Sequence, residues 1–425
     1  MLSHRDNEIL CRVGAATPMG LFLRRFWTPV LLSSELAEPD GEPREITVLG
    51  EDLLAFRDTQ GQVGLMQPLC PHRQAPLVYG RNEEGGLRCI YHGWKFSASG
   101  ECVDMPNEPS DSDFKQKVRA VHYPVREWAG IIWAYLGPRN LEPELPALEW
   151  ARVPAEQRNV VKYRQECNFV QAIEGDIDSS HIGFLHMDLG ALRNPSTPEQ
   201  RYRANDMAPR WVIQPREYGL MLAACRNAEE DTHYWRTNQW LMPYYTMIAT
   251  DLQQRRGHGH IWVPIDDTRT QVWCVIWAPH EALTEQEKFQ ILGGPSPHIA
   301  TLDPATGGLR ANKQNHFFQD REAQRTKSFT GILGVREQDT AVVEGMGDIV
   351  DRTREHLGTS DMAIIGMRRM LINGARALEG GEEPYAATHA DVYRVRAWSE
   401  ILQRGPDAEL LRLPRVKELT ETMVD

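Results

Sequence analysis

The sequence predicts a two-domain α+β protein: an all-β domain first, then a larger domain of antiparallel strands with long helices packed on them. Three observations predict it. From Glu45 to Leu136, short runs such as Ile46-Thr47-Val48-Leu49-Gly50 and Leu53-Leu54-Ala55-Phe56 are punctuated by Gly61, Gly64, Gly85-Gly86, Gly100, Gly130 and Gly137-Pro138. That is the pattern of a small all-β domain. The segment Pro138 to Pro154 then holds four prolines and reads as a linker. Beyond it, strand-like stretches at 211–224, 233–250, 258–265 and 271–279, rich in Trp, Val, Ile and Tyr, are followed by helical patterns. At 425 residues the chain is long enough for two domains, each with its own core.

Three segments of the second domain read as helices. Residues 166–190 carry the densest cluster of His and Asp in the chain. Residues 337–357 place Val342, Val343, Met346, Ile349 and Val350 on one stripe at the i, i+3, i+4, i+7 spacing. A last helix covers about 361–378 and ends near Gly380-Gly381.

Composition narrows the function. Hydrophobic content of 41% and charged content of 25% are ordinary for a globular protein. The net charge of −12, from 47 basic and 59 acidic residues without a basic run, argues against a nucleic-acid partner. The longest apolar run, Gly130 to Gly137, is strand length, far below the ~20 residues of a membrane span. The N-terminus, Met1-Leu2-Ser3-His4-Arg5-Asp6, is charged early and has no apolar signal core. Seven cysteines, at 11, 70, 89, 102, 167, 225 and 274, lack the regular spacing of a disulfide framework. The expected compartment is the cytoplasm, with no membrane contact.

Two short segments carry metal-ligand chemistry. Cys70-Pro71-His72 and Cys89-Ile90-Tyr91-His92 each pair one thiol with one imidazole on a tight turn. Two cysteines and two histidines can hold zinc, which is the competing metal. Zinc fingers, however, pair Cys with Cys and His with His, whereas here each half contributes one of each. That suits a two-iron cluster in which one iron takes both thiolates and the other both imidazoles. Trp94 and Phe96 supply apolar cover.

Cys70-Pro71-His72-Arg73 and Cys89-Ile90-Tyr91-His92-Gly93-Trp94-Lys95-Phe96 resemble the cluster motif of the Rieske non-heme iron oxygenases. Rieske proteins of respiratory cytochrome bc complexes carry an extra cysteine in each loop. Ala75 and Tyr91 stand at those places here, which favours the oxygenase type. The resemblance implies a Rieske [2Fe–2S] domain over 25–150 and a helix-grip catalytic domain with a mononuclear iron over 151–425. Residues 1–24 are then a segment packing on the catalytic domain.

A second cluster, Asp178, His181 and His186, lies in the segment from Cys167 to His186. On a regular helix the two histidines point about 140° apart, so a shared metal needs a wide turn or break, for which Gly183 is well placed. An isolated H-x4-H reads as satisfied core or surface histidines. Beside a one-electron cluster it reads as the consumer of that electron, two histidines plus one carboxylate being the facial triad of non-heme iron oxygenases. Asp339 shares a helix face with Val342, Val343 and Met346, and a buried carboxylate needs a partner or a metal. Glu344 and Asp320 are the alternatives to it. The resemblance implies His181, His186 and Asp339 as iron ligands. It makes Asp178 a bridge to the cluster histidine matching His92 of a neighbouring subunit. Asp176 and Glu174 are rivals for that role, and Glu174 is expected to face the same pocket.

The closest likeness is to the phthalate 4,5-dioxygenase type, through Glu174 to His186 and Glu344 to Arg352. It implies an oxygenase component with Fe(II), dioxygen as co-substrate and an aromatic carboxylate (phthalate isomer, halobenzoate or phenoxybenzoate) as substrate. It also implies a cis-dihydrodiol product, an NADH-dependent FMN/[2Fe–2S] reductase as partner, and a homotrimer or a hexamer of stacked trimers. Monooxygenation or demethylation of a related acid is the alternative, and a pure electron carrier leaves the second cluster unexplained. The stretches matching phthalate-binding arginines, 205–210 and 240–248, hold Arg210 alone, so a monocarboxylate with an apolar or halogen substituent fits better. Arg226 and Arg236 are further candidates for its carboxylate.

Overall fold

The computed structural model describes residues 1–250, 252–253, 255–292, 301–303 and 308–405. They form two compact units. One holds Gly14–Ala16 and Gly20–Pro143, the other Met1–Val13, Thr17–Met19 and the residues from Glu144 onward. The boundary falls inside the proline-rich segment.

The smaller unit is all-β. Its strands are β1 (Trp27–Leu32), β2 (Arg44–Val48), β3 (Glu51–Arg57), β4 (Val63–Met66), β5 (Arg81–Glu83), β6 (Gly86–Arg88), β7 (Lys95–Phe96), β8 (Cys102–Asp104), β9 (Val125–Trp128) and β10 (Ile131–Tyr135). They pair into three small sheets, ordered β1-β10-β9, β2-β3-β4 and β5-β6-β7-β8. Leu54 and Phe56 of β3 meet Met66, Leu77, Leu87, Trp94 and Phe96 in one core, and Cys70 and Cys89 belong to it. Each such side chain, fully buried, contributes about 1.5–3 kcal/mol. The two cysteine loops are thus rooted in this core.

The larger unit is built on an eight-stranded antiparallel sheet. Its strands are β11 (Arg158–Gln165), β12 (Arg210–Arg216), β13 (Gly219–Asn227), β14 (Thr232–Leu241), β15 (Tyr245–Ile248), β16 (Gly257–Pro264), β17 (Thr270–Trp277) and β18 (Trp398–Gln403). The order is β11-β17-β16-β15-β14-β13-β12, with β18 also on β14. The stretch expected as one strand over 211–224 is a hairpin, Arg216 pairing with Gly219 across Glu217-Tyr218. Gly219, at φ 145°, is required there, because a Cβ would lie 2.3 Å from the Trp240 carbonyl oxygen. β11 and β18 had no alternation strong enough to announce them.

Two helices touch each other on the sheet: Met362–Glu379 lies across β12 and β13, and Phe169–Ile177 across β14 to β16. The N-terminal helix His4–Cys11 joins this unit through Asn7, which donates to the Val350 carbonyl (3.1 Å) and accepts from Arg352 (3.0 Å). No described helix is long and apolar enough to cross a membrane.

The helix expected over 337–357 runs Val335–Gly345. Its expected apolar stripe is not the buried face: Val342 is 41% and Met346 50% exposed, while Arg336, Gln338, Thr340 and Glu344 are buried beside Val343. Polar groups turn inward because each has a partner. Arg336 pairs with Asp176 (3.0 Å), Thr340 donates to the Arg336 carbonyl (2.7 Å), and Glu344 accepts from the Glu166 amide (2.9 Å).

Candidate metal centres

Each cysteine loop closes on its own backbone. The Cys70 amide donates to the Ala75 carbonyl (2.8 Å) and the Gln74 amide to the Cys70 carbonyl (2.9 Å). In the second loop the Cys89 amide donates to the Trp94 carbonyl (2.8 Å) and the Gly93 amide to the Cys89 carbonyl (3.0 Å). Gly93 adopts φ 79°, and a Cβ there would lie 2.6 Å from Pro106. Both thiols are buried, whereas the His72 and His92 rings are half-buried with centroids 4.5 Å apart. The Trp94 ring stacks on His72 at 4.2 Å and is held by its indole N–H donating to Asn107 (2.7 Å).

The four side chains suit a binuclear cluster, thiolates inward and imidazoles outward. His92 supplies a direct sign of fit. Its Nδ1 is buried without a hydrogen-bond partner. Left so, a buried polar atom costs about 1–3 kcal/mol, which a metal bond removes.

The second centre starts from the end of a helix. Phe169–Ile177 is capped by Asn168, which accepts from the Val170 amide (3.1 Å). The helix stops at Asp178, where ψ is 123°. The Asp178 carboxylate accepts from the amides of Ser180 (2.6 Å) and His181 (3.2 Å). These side-chain bonds take over from the helical ladder. A 3-10 turn over His181–Gly183 follows, and the His181 carbonyl accepts from the amides of Phe184 (2.9 Å) and Leu185 (2.8 Å). The helix thus ends at Asp178–Ser180, ahead of both histidines, and the wide turn expected between them is the 3-10 turn and turn over 181–186 in which Gly183 sits. Gly183 needs no glycine-only backbone, since a Cβ there would make ordinary contact with Met207 at 3.6 Å.

This turn brings His181 Nε2 and His186 Nε2 to 3.1 Å. Asp339 reaches the same point, its Oδ1 lying 3.1 Å from His186 Nε2 and 3.6 Å from His181 Nε2. These are the described residues whose donor atoms all lie within 4.8 Å of one another. Two imidazoles and a carboxylate would supply three ligands to a metal such as non-heme iron, a set that leaves further coordination positions free.

The remaining ring nitrogens fix the tautomers. His186 Nδ1 is 2.7 Å from Gln338 Oε1, an acceptor, so Nδ1 carries the proton and Nε2 offers its lone pair. Gln338 is held in turn by donating to the Ile332 carbonyl (2.8 Å). His181 Nδ1 faces Asp178 Oδ2 at 3.3 Å with the same consequence. Burial favours the neutral His181 ring, yet the Asp178 hydrogen bond and the Asp339 charge outweigh it and raise its pKa. Burial likewise pushes the Asp339 carboxyl up. The Arg336 charge at 3.4 Å is the largest influence opposing it, and the carboxyl is held below its ordinary range. Arg336 also pairs with Asp176, which accepts from His260 Nδ1 (2.9 Å) and from Thr246.

Gln338→Leu is expected to weaken metal binding at this triad by about 10–100-fold, because His186 loses the acceptor that sets its tautomer. A chelator titration with metal analysis reads the change. Metal retention matching the unaltered protein would show that Gln338 does not orient the ring.

The other singled-out acids lie apart. Glu174 does not face the pocket; Arg352 (3.1 Å) and Arg368 (2.6 Å) hold it in a buried ion pair. Glu344 is engaged with the Glu166 amide, and Asp320 caps the helix Arg321–Thr326. Beside the triad opens a cleft of about 1630 Å³, lined among others by Asp178, Ile182, Leu192, Ile248, Arg203 and Arg236. Arg210, exposed over the Trp235 ring, and Arg226, buried behind the Ser179 carbonyl, do not line it. Sequence reasoning had no signal for Gln338, Arg336 or His260, which meet the site only through folding.

Comparison with known proteins agrees with this layout. Residues 26–124 match the family description "Rieske [2Fe-2S] domain", and residues 134–423 match "LigXa C-terminal domain like". The chain is 40% identical over 391 residues to the phthalate 4,5-dioxygenase oxygenase subunit of Pseudomonas putida, covering 90% of this chain and 88% of that protein. It is 38% identical over 404 residues to the 3-chlorobenzoate-3,4-dioxygenase oxygenase subunit of Comamonas testosteroni, covering 92% of each. The solved structure of dicamba monooxygenase bound to dicamba shares the fold, with a TM-score of 0.58 at 19% identity over 85% of this chain and all of that one.

Proposed function

The chain belongs to the Rieske non-heme iron oxygenases, in the branch of the phthalate 4,5-dioxygenase oxygenase subunit, and on that premise we propose that it dioxygenates an aromatic carboxylate to a cis-dihydrodiol. Membership brings a [2Fe–2S] cluster and a mononuclear non-heme iron. This reading assigns the cluster to Cys70, His72, Cys89 and His92, and the iron to His181, His186 and Asp339. When bound, the two centres supply single electrons and an open coordination site for dioxygen.

The chain's own residues do the rest. Asp178 and Gln338 keep a proton on Nδ1 of His181 and His186, so both Nε2 lone pairs point at one place. Arg336 keeps Asp339 ionised without competing for both of its oxygens. Ile182, Leu192 and Ile248 give an aromatic ring an apolar wall beside the triad. Asp178, whose side chain is only partly covered, is left able to meet a cluster histidine of a neighbouring subunit in a trimer or a hexamer of stacked trimers. The electron donor in this reading is an NADH-dependent FMN/[2Fe–2S] reductase.

The observation that carries the proposal is the convergence of His181, His186 and Asp339 on the wall of a cleft large enough for an aromatic acid. The test is turnover with reductase, NADH and isotopically labelled dioxygen against phthalate, 3-chlorobenzoate and phenoxybenzoate. Both labelled atoms are expected on adjacent ring carbons of one product. A single labelled atom in a phenol, or release of formaldehyde from a methoxy analogue, would replace dioxygenation by monooxygenation or demethylation.

A further inference from the structure

The metal centres do not account for one buried arginine in the wall of this cleft. Arg236 of β14 lines it and is 7% exposed. Its guanidinium donates to the Ser179 hydroxyl (3.2 Å), and among the described residues no carboxylate lies within ion-pair distance of it. Arg226, on the neighbouring β13 and 1% exposed, donates to the carbonyls of Asp206 (3.1 Å) and Ser179 (2.8 Å) and leaves one terminal nitrogen without a partner. Arg203 lines the cleft as well, and its Nε donates only to the Glu199 carbonyl, at 3.3 Å. A third cleft arginine is different: Arg256 is neutralised by Glu281 (2.7 Å) and Glu287 (2.6 Å).

Burial lowers the Arg236 pKa to about 10, and the charges of Arg203 and Arg226 push in the same direction. A buried guanidinium with no carboxylate in ion-pair distance is unfavourable until an anion reaches it. Of the carboxylates that line the cleft, Asp176 is held by Arg336 and His260, Asp339 by Arg336 and Glu287 by Arg256, so Arg236 is left open to an anion from outside the chain. A planar carboxylate matches the two-pronged guanidinium.

We propose that Arg236, with Arg203 beside it, is the anchor for the substrate's carboxylate and sets the preference for aromatic acids over their neutral analogues. This rests on the reading of the cleft as the substrate site. It places the anchor on β14, away from the stretches 205–210 and 240–248 where the family resemblance put it. Arg226, which donates to the carbonyl of the same Ser179, adds a second positive charge beside Arg236.

The test is binding by calorimetry under anaerobic conditions, on protein loaded with cluster and iron. The probes are benzoate against benzamide and 3-chlorobenzoate against 3-chlorobenzamide. A charge-assisted pair contributes about 1.5–3 kcal/mol, so the acids are expected to bind about 10–100-fold more tightly than the amides. Arg236→Gln is expected to remove most of that preference and leave amide binding unchanged. Should Arg236→Gln fail to fold, Arg236→Lys decides: it keeps a charge, loses the fork, and should weaken acid binding by about 10-fold with amides spared. An undiminished preference for acids in the variant that folds would overturn the Arg236 assignment and leave the aromatic-acid reading standing. Equal binding of acid and amide by the unaltered protein would overturn both.

Discussion

Asp339→Ala is expected to yield a red-brown protein that keeps its cluster and loses both its mononuclear iron and its turnover. The carboxylate lies 3.1 Å from His186 Nε2 and 3.6 Å from His181 Nε2, so its removal leaves two neutral imidazoles and no anionic ligand. An outer partner such as Gln338 accounts for about 10–100-fold in metal affinity; loss of a direct ligand should exceed that. The fold should survive, because Arg336 keeps its ion pair with Asp176 at 3.0 Å. The cluster's own loops hydrogen-bond within themselves, so its visible spectrum should be unchanged. Iron analysis against absorbance decides the matter. Full retention of the mononuclear iron in Asp339→Ala would strike Asp339 from the ligand set. Glu344→Ala serves as the control and should keep its iron, since Glu344 is engaged with the Glu166 amide.

In protein reconstituted to full cluster and iron content, Asp178→Asn is expected to lose turnover by about 100-fold or more. Asparagine has the same shape, and its carbonyl oxygen can still accept from the Ser180 amide that ends the helix. What disappears is the charge that raises the His181 pKa and, in the proposed assembly, links His181 to a cluster histidine of the next subunit. A merely structural role would lower melting temperature or iron content. A bridging role slows reoxidation of the reduced cluster in a single turnover while its reduction by the reductase is unaffected. Normal reoxidation in a fully loaded Asp178→Asn protein would end the bridging assignment.

The parts of these sites legible in the sequence are those built by local hydrogen bonds. Cys70 and His72, or Cys89 and His92, lie within four residues, and each loop closes on its own backbone, so spacing and residue type are enough. The turns that gather His181 and His186 are local too: an aspartate ends the helix by capturing the amides of Ser180 and His181, and Gly183 sits in the turn between the two histidines. The apolar stripe that points to Asp339 in the sequence is not the buried face of its helix, since Val342 and Met346 face outward. The helix face it occupies is buried through its polar residues.

By itself the sequence determined the two-part α+β organisation, the cysteine and histidine loops, and the pair His181 and His186. Only the tertiary structure decided which carboxylate meets that pair, that Glu174 turns away to Arg352 and Arg368, and that Arg236 rather than Arg210 or Arg226 faces the cleft. The physical reason is separation along the chain. Gln338 lies 152 residues from the histidine it orients, and Arg336 lies 160 from Asp176. Such pairs are set by how a helix lies on a sheet, which no spacing rule within one segment encodes.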